Sequence, residues 1–493
     1  MPGKRHWKSD GRWDMAVGVA FLLLALATCW GTIGSGFQLG GDEHHEVTKS
    51  FLWSEGFRLY HEIWNDQPPL LTVLQGSLFK GFGVYAVLAR GLALAFGALL
   101  AAGLFRLVRK SLGVPAAFGA LFSLLAAPHV FELSLSPMSE VPAFAVGLGA
   151  LGAIRRWDKD GRGVWLAISG LILAFALEIK LTAALLAPAL GLELALLTLA
   201  RSKAGRIVKL ARNGAIWGGS VLGGSVLLGL ALGTGYLQAY ASHFSTLGQA
   251  AAAEVRQLAF TLGDLLRYRQ ALVALAASLG LAAWRRHWRP LAFPLALFAT
   301  ALAVHLVHRP FWPYYYLHFA VPIAWLTGYA VGELWKAALD TARRTAPRLS
   351  LWGAGLALAA ALLSAGVVAY AGVTLASETK KIRGVRRVDA DPLVAAMKAA
   401  APGTQWVYTR ATMYAFHAKL RVIPALALMP RKRFWSGQIT PAGILAQVKR
   451  YMPEQLLLDD RDMADAEMAR FVGEHYRPSA RDAGLTLWLK AAR

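Results

Sequence analysis

Long apolar segments, separated by short polar or basic connections, dominate the chain as far as Val373. A helix needs about 20 predominantly apolar residues to cross a membrane. About eleven segments approach this length, and the shorter ones predict helices that are tilted, broken or covered by other helices. The segments are 15–33, 87–107, 114–131, 141–154, 164–177, 181–199, 215–232, 271–284, 291–307, 317–335 and 351–373.

Basic residues are concentrated in alternate connections between these segments. Because cytoplasmic loops carry an excess of Lys and Arg, this asymmetry predicts a cytoplasmic N-terminus in a plasma (inner) membrane. The other connections and the C-terminal region are then extracytoplasmic. The basic connections are the N-terminal tail, 106–110, 155–162, 201–212, 285–289 and 336–348.

Two stretches of the first external loop, 34–86, carry surface-helix patterns. Four aromatic residues recur at helical spacing with the charged residues off their face, which suits a helix lying along the membrane surface. They are Trp53, Phe57, Tyr60 and Trp64. The stretch 68–81 is apolar but short, so we expect a surface or re-entrant helix. If it spans instead, every later orientation reverses.

The composition changes after Val373, where charged residues and prolines become frequent. Alternating apolar positions predict strands at 405–409, 455–459 and 485–489, and helical spacing occurs at 392–400, 441–451 and 464–472. The chain is therefore expected to be a polytopic α-helical membrane protein with a transmembrane core, 1–373, and an extracytoplasmic α/β domain, 374–493.

Composition supports a membrane protein. The 493 residues are 56% hydrophobic with a mean hydropathy of +0.43, more than a soluble protein of this size needs. The basic residues behind the net charge of +23 lie in the connections between the apolar segments. This position is typical of residues that determine membrane topology and attract anionic lipid head groups, rather than of a nucleic-acid-binding surface. Cys29, the single cysteine, excludes a disulfide framework and a cysteine-based metal site.

An acidic pair, Asp42 and Glu43, follows the first apolar segment. Carboxylates beside a membrane span are costly unless they are used, although exposed loop charges are often only solvated. Further along the same loop stands Asn65-Asp66-Gln67-Pro68-Pro69, where the two prolines mark a turn at the start of a helix.

This order of landmarks resembles the first external loop of the GT-C membrane glycosyltransferases, and is similar to protein O-mannosyltransferases and bacterial lipid A aminoarabinose transferases. The resemblance extends from Met1 to about Leu326, and each motif alone is short. It implies that Asp42 is the catalytic carboxylate. Relatives usually carry a phosphate-binding Lys just before the two prolines. This chain has Gln67, which can hydrogen-bond a phosphate but supplies no charge.

Two further external turns carry isolated charges that the resemblance associates with the site. Glu140 stands where relatives often have an Asp followed by Pro, but it could equally be a helix N-terminal carboxylate favoured by the dipole. Lys180 is a candidate partner for a lipid phosphate, with an ion pair to Glu178 as the alternative.

The turn from His305 to His318 adds Arg309 and His308 as candidate phosphate contacts, because Arg binds phosphate through two parallel donors. Its aromatic residues could instead be an interfacial belt. The histidine spacing, and His44-His45 beside Asp42 and Glu43, raise a metal site as an alternative. We predict no metal site and no required cofactor, with a divalent cation as the alternative.

The predicted function is sugar transfer from a polyprenyl-phosphate donor to a hydroxyl of a glycolipid, polysaccharide or protein on the external face, with inversion. Asp42 would act as the base, and Glu43 and Glu140 would orient the acceptor or tune Asp42. Lys180 and Arg309 would stabilise the leaving phosphate. The alternatives are a transporter or flippase of a lipid-linked glycan and a catalytically inactive scaffold.

Overall fold

The computed structural model describes residues 11–201, 204–243, 256–267, 269–344 and 351–491. Its first part is helical. The helices are α1 (Arg12–Ser35), α2 (Glu43–Ser54), α3 (Leu70–Phe82), α4 (Ala86–Leu112), α5 (Val114–Leu125), α6 (Val130–Leu135), α7 (Glu140–Asp160), α8 (Val164–Ile179), α9 (Leu186–Arg201), α10 (Arg206–Leu232), α11 (Tyr236–His243), α12 (Leu262–Arg267), α13 (Arg269–Arg285), α14 (Ala292–Val307), α15 (Leu317–Arg344) and α16 (Leu351–Arg383).

The apolar segments predicted from the sequence coincide with helices. The segment 114–131 is broken, because α5 ends at Leu125 and the chain turns through Pro128 and a left-handed His129 before α6 begins. Within the described ranges, six helical stretches are long and apolar enough to cross a membrane. The count of eleven spans stays a prediction. Helix α3 has 13 residues, so at about 1.5 Å per residue it is shorter than the hydrocarbon core of a bilayer.

Small residues let α5 and α15 approach closely in the helical core. A Cβ added at Gly328 would lie 2.4 Å from the carbonyl oxygen of Ala116, and one at Gly332 would lie 2.7 Å from the Ala116 Cβ. Such contacts are typical of helix packing in membranes, where apolar burial does not by itself drive association.

The C-terminal part is a small α/β domain. Its helices and strands are α17 (Pro392–Ala399), β1 (Val407–Thr409), α18 (Thr412–Ala418), α19 (Arg431–Trp435), α20 (Pro441–Tyr451), β2 (Gln455–Leu458), α21 (Asp460–Met463), α22 (Ala466–His475), β3 (Tyr476–Asp482) and β4 (Leu485–Lys490). The sheet order is β1-β2-β4-β3, with β1 parallel to β2 and the other pairs antiparallel.

Two features of this domain differ from the sequence prediction. Strand β3 was not predicted, because it is a largely exposed edge strand that contains Pro478 and polar residues. The predicted domain boundary at 373/374 falls inside α16, which continues to Arg383. The polar residues that mark a composition change in the sequence form the charged end of this helix.

The prediction of a surface helix with an aromatic face from Trp53 to Trp64 is wrong. Helix α2 ends at Ser54, and positive φ angles at Gly56 and Tyr60 turn the chain back on itself. The apolar side chains of this loop pack with the C-terminal domain rather than on one helical face. Phe57, for example, contacts Trp406 with ring centroids 5.7 Å apart. The loop 34–86 is therefore the surface on which the C-terminal domain rests.

Candidate active site

A cavity of about 520 Å³ lies where four parts of the chain meet. The first external loop, the start of α7 with the end of α8, the turn before α15, and the C-terminal domain all contribute to it. This volume is within the usual range of small-molecule sites. Its charged residues are Asp42, Glu46, Lys49, Asp66, Glu140, Lys180, Arg309, Arg410, Arg431 and Lys432.

Asp42 is half-buried in the wall of this cavity, at the residue preceding the first turn of α2. The Tyr314 hydroxyl interacts electrostatically with this carboxylate. Burial and the nearby Asp42 charge raise the pKa of Tyr314 well above its usual value, so this hydroxyl stays protonated as a donor. Lys180 and Lys432 also interact electrostatically with Asp42. The Asp42 carboxylate thus lies near a neutral phenol and two lysine side chains, of which Lys432 has a pKa lowered by burial to about 7.

Glu43 does not line the cavity, although it is adjacent to Asp42 in the sequence. Its side chain is fully buried and pairs with Arg90 at 2.7 Å, and it also accepts a hydrogen bond from the Leu39 amide. Arg90 reaches the carbonyl oxygen of Ile33 at 3.1 Å, so the pair joins the end of α1 to the start of α2. The expectation that Glu43 contacts the acceptor does not fit this geometry. Its position instead fixes the backbone that carries Asp42.

We expect Glu43→Gln or Arg90→Met to destabilise the protein by about 3–5 kcal/mol, because each leaves a buried charge without its partner. Removing the more exposed pair Glu55–Arg421, through Glu55→Gln, is the matched control and should change stability by only about 0–1 kcal/mol. Chemical unfolding in detergent, followed by tryptophan fluorescence, measures both effects. Equal small losses for the two pairs would contradict the structural role given to Glu43.

Glu140 and Lys180 form a buried ion pair in the cavity wall. Glu140 is the first residue of α7, and Lys180 follows the last residue of α8. The Lys180 ammonium lies 5.5 Å from the ring centroid of Tyr314. The alternative pair with Glu178 is not formed, since Glu178 accepts a hydrogen bond from Thr234 at 2.8 Å.

His308 and Arg309 also line the cavity, and the Arg309 side chain is exposed. His305 faces elsewhere: its Nε2 lies 2.8 Å from Nδ1 of His318, within a cluster of aromatic rings. Among the residues that the structure describes, no three His, Cys, Asp or Glu side chains are grouped so as to hold a metal ion. The side chains around His44 and His45 do not form a metal-ligand group, and Glu43, which the sequence placed among them, is paired with Arg90.

Gln67 lines the cavity and donates a hydrogen bond from Nε2 to Asp66 at 3.2 Å. Two basic residues that the sequence analysis did not single out, Lys49 and Lys432, also line the cavity. Lys49, buried in α2, donates to Glu46 at 2.8 Å, and Lys432 from α19 pairs with Asp66. Lys49 lies in the loop 34–86, where the sequence alone does not distinguish it from the other charged residues. Lys432 is distant in sequence, and only the docking of the C-terminal domain brings it here.

The charge balance of the cavity favours an anionic ligand. Six basic side chains face four carboxylates in its lining; Arg410 is paired with Asp462 outside the lining, and burial lowers the pKa of Lys432 to about 7, so Arg309 and Arg431 supply the fixed positive charge. His45 adds no positive charge, because burial, followed by the nearby His44, Lys49 and Lys432, lowers its pKa well below the usual value. A surplus of fixed positive charge in a confined site raises the local concentration of anions.

The fold and the sequence both have counterparts among known proteins. A family model described as dolichyl-phosphate-mannose-protein mannosyltransferase matches residues 66–217. The match includes Gln67, Glu140 and Lys180 but not Asp42, Arg309 or Lys432. The sequence matches no curated protein.

Solved structures extend the likeness to nearly the whole chain. ArnT from Cupriavidus metallidurans in the apo state is similar with a TM-score of 0.63 at 15% identity, covering 95% of this chain and 97% of ArnT. The same protein bound to undecaprenyl phosphate gives 0.60 at 16% identity, covering 96% and 98%. Arabinosyltransferase EmbB from Mycobacterium smegmatis gives 0.50 at 17% identity, covering 78% of this chain and 42% of EmbB.

These likenesses confirm the predicted fold class: the chain is a multi-pass membrane protein with the GT-C fold and a C-terminal domain that contains a small sheet. The resemblance to protein mannosyltransferases and to ArnT is confirmed as well. Identities of this size show the fold alone.

Proposed function

We propose that this protein is a membrane glycosyltransferase that moves a sugar from a polyprenyl-phosphate donor to a hydroxyl acceptor. The observation that carries the proposal is the cavity itself, where the Asp42 carboxylate lies among fixed cations. The GT-C fold and the undecaprenyl phosphate held by ArnT support a lipid-linked donor. We also propose that the transfer takes place on the external face of the membrane.

The reaction requires a base, a leaving group that is stabilised, and an acceptor oxygen between them. In our proposal the acceptor oxygen attacks the anomeric carbon while Asp42 takes the hydroxyl proton. The bond between the anomeric carbon and the phosphate oxygen breaks, and its electron pair leaves on the polyprenyl phosphate. Attack from the side opposite the phosphate inverts the anomeric centre.

Charged residues around the cavity have separate roles in this scheme. Lys180 and Arg309 stabilise the negative charge on the departing phosphate, as fixed cations do without reorganisation. Glu140 holds Lys180 in place through their ion pair. Tyr314, a neutral phenol in the same wall, interacts electrostatically with Asp42. This chemistry assigns no role to a metal ion.

The C-terminal domain forms one wall of the cavity through residues 410–435, so we propose that it takes part in selecting the acceptor. The acceptor is a glycolipid, a polysaccharide or a protein hydroxyl. Because apolar residues of this domain pack with the first external loop, deletion of the domain would expose a core. Substitutions at cavity residues such as Met429 and Trp435 are therefore a cleaner test of acceptor choice.

Transfer by the purified protein in lipid nanodiscs tests the proposed function. A panel of polyprenyl phosphates carrying radiolabelled sugars is supplied with a membrane extract of the host as acceptor. We expect the label of one donor to move to the acceptor. The alternative of a flippase predicts movement of the intact labelled lipid between leaflets of a sealed vesicle. An inactive scaffold predicts neither, and either result would overturn the proposal.

A further inference from the structure

The positive charge missing at Gln67 has a replacement in the folded protein. Gln67 and Lys432 meet at the same carboxylate: Gln67 Nε2 donates to Asp66, and the Lys432 ammonium pairs with Asp66. The Gln67 amide and the Lys432 ammonium therefore lie at the same carboxylate of the cavity wall. It belongs to the C-terminal domain, far from residue 67 in sequence.

We propose that Lys432 of the C-terminal domain binds the phosphate group of the lipid-linked substrate and so completes the active site. This inference rests on the proposed function and names a residue of the same site. It implies that the site is fully formed only when the C-terminal domain is docked. The chemistry recognised is a phosphate esterified to a lipid.

The position of Lys432 fits a ligand contact. Its side chain lines the cavity and is 28% exposed, so a ligand in the cavity can reach the side chain. It lies 5.2 Å from the ring centroid of Trp64 and interacts electrostatically with Asp42. An ammonium has three donors, and the carboxylate of Asp66 does not need all of them.

A purely structural role for Lys432 is less well supported, because other contacts already join the domain to the loop. Trp64 donates to Gln438 at 3.0 Å, and the Arg433 guanidinium lies 5.0 Å from the Trp64 ring centroid. Arg421 pairs with Glu55 at 2.6 Å. The domain and the loop are thus joined by several contacts that do not involve Lys432.

Moving the charge tests this assignment. Binding of undecaprenyl phosphate is measured in nanodiscs of phosphatidylcholine for the wild type, Lys432→Gln, Gln67→Lys and the double variant. We expect Lys432→Gln to weaken binding about ten- to a hundred-fold, the usual effect of losing a hydrogen bond to a charged group. Gln67→Lys should restore most of this affinity in the Lys432→Gln background, and Lys432→Arg should retain it.

The controls separate ligand contact from folding and from general charge. Lys398→Gln removes an exposed lysine of the same domain and should leave binding unchanged. Thermal unfolding shows whether each variant is folded. Unchanged affinity in folded Lys432→Gln would overturn the inference, and so would a double variant that is folded but not restored.

Two further arms identify the ligand. Inorganic phosphate as a competitor that loses potency in Lys432→Gln assigns the contact to the phosphate, whatever carries it. An effect confined to nanodiscs containing phosphatidylglycerol, with binding of undecaprenyl phosphate unchanged, would overturn the proposal. If the wild type binds undecaprenyl phosphate through Lys432 but transfers no sugar, the proposed function fails while this inference stands.

Discussion

Asp42→Asn is expected to lower the rate of sugar transfer by about a hundred- to ten-thousand-fold, the usual contribution of a general base. The substitution preserves the shape of the side chain but removes its capacity to accept a proton. Because an amide is close in size and shape to a carboxylate, the surrounding geometry should remain. The measurement is the transfer rate at saturating donor in nanodiscs, together with the affinity for undecaprenyl phosphate.

The affinity measurement gives this prediction its specificity. Because Asp42 is not assigned to the phosphate, the variant should bind undecaprenyl phosphate at least as well as the wild type. Asp460→Asn, at an exposed carboxylate of the C-terminal domain, is the matched control and should transfer normally. An Asp42→Asn protein that is folded and transfers at the wild-type rate would remove this residue from the mechanism.

Lys180→Met is expected to lower transfer by about a hundred- to a thousand-fold, as does the loss of one fixed donor to a developing negative charge. This single variant has a second consequence, since it leaves the buried Glu140 carboxylate without its partner. Loss of activity alone would therefore not separate phosphate stabilisation from local disruption.

The double variant Lys180→Met with Glu140→Gln separates the two effects. It removes both charges and restores the local charge balance. If Lys180 acts on the phosphate, the double variant stays as slow as Lys180→Met although it is as stable as the wild type. Recovery of transfer in the double variant would show that Lys180 only neutralises Glu140. Transfer rates and thermal unfolding of the wild type and the two variants give the answer.

The helical core could be predicted from the sequence because helices that cross a membrane need long apolar segments, which are visible in the sequence itself. The predicted segments coincide with helices, except that 114–131 is divided between α5 and α6, and strands β2 and β4 lie where alternation predicts them. The aromatic residues from Trp53 to Trp64 misled the prediction. In a loop whose apolar side chains are buried by another domain, these side chains can by chance show the spacing of a helix. Gly56, which has a positive φ angle, was the local signal of a turn.

The candidate site could be predicted in part. Asp42, Glu140, Lys180 and Arg309 are charges in otherwise apolar surroundings, and the structure brings them to one cavity. Glu43 could not be separated from Asp42, because the direction of adjacent side chains depends on where α2 begins. Lys432 could not be predicted, because charged residues are common in the C-terminal domain and only its docking selects one of them.

The most direct test of the central claim follows both products of one reaction. Purified protein receives a donor with one label on the sugar and another on the polyprenyl phosphate, together with the acceptor extract. We predict one free polyprenyl phosphate for each sugar transferred, and loss of both products in Asp42→Asn. Intact donor after incubation with folded wild-type protein, across the whole panel of sugars, would contradict the claim.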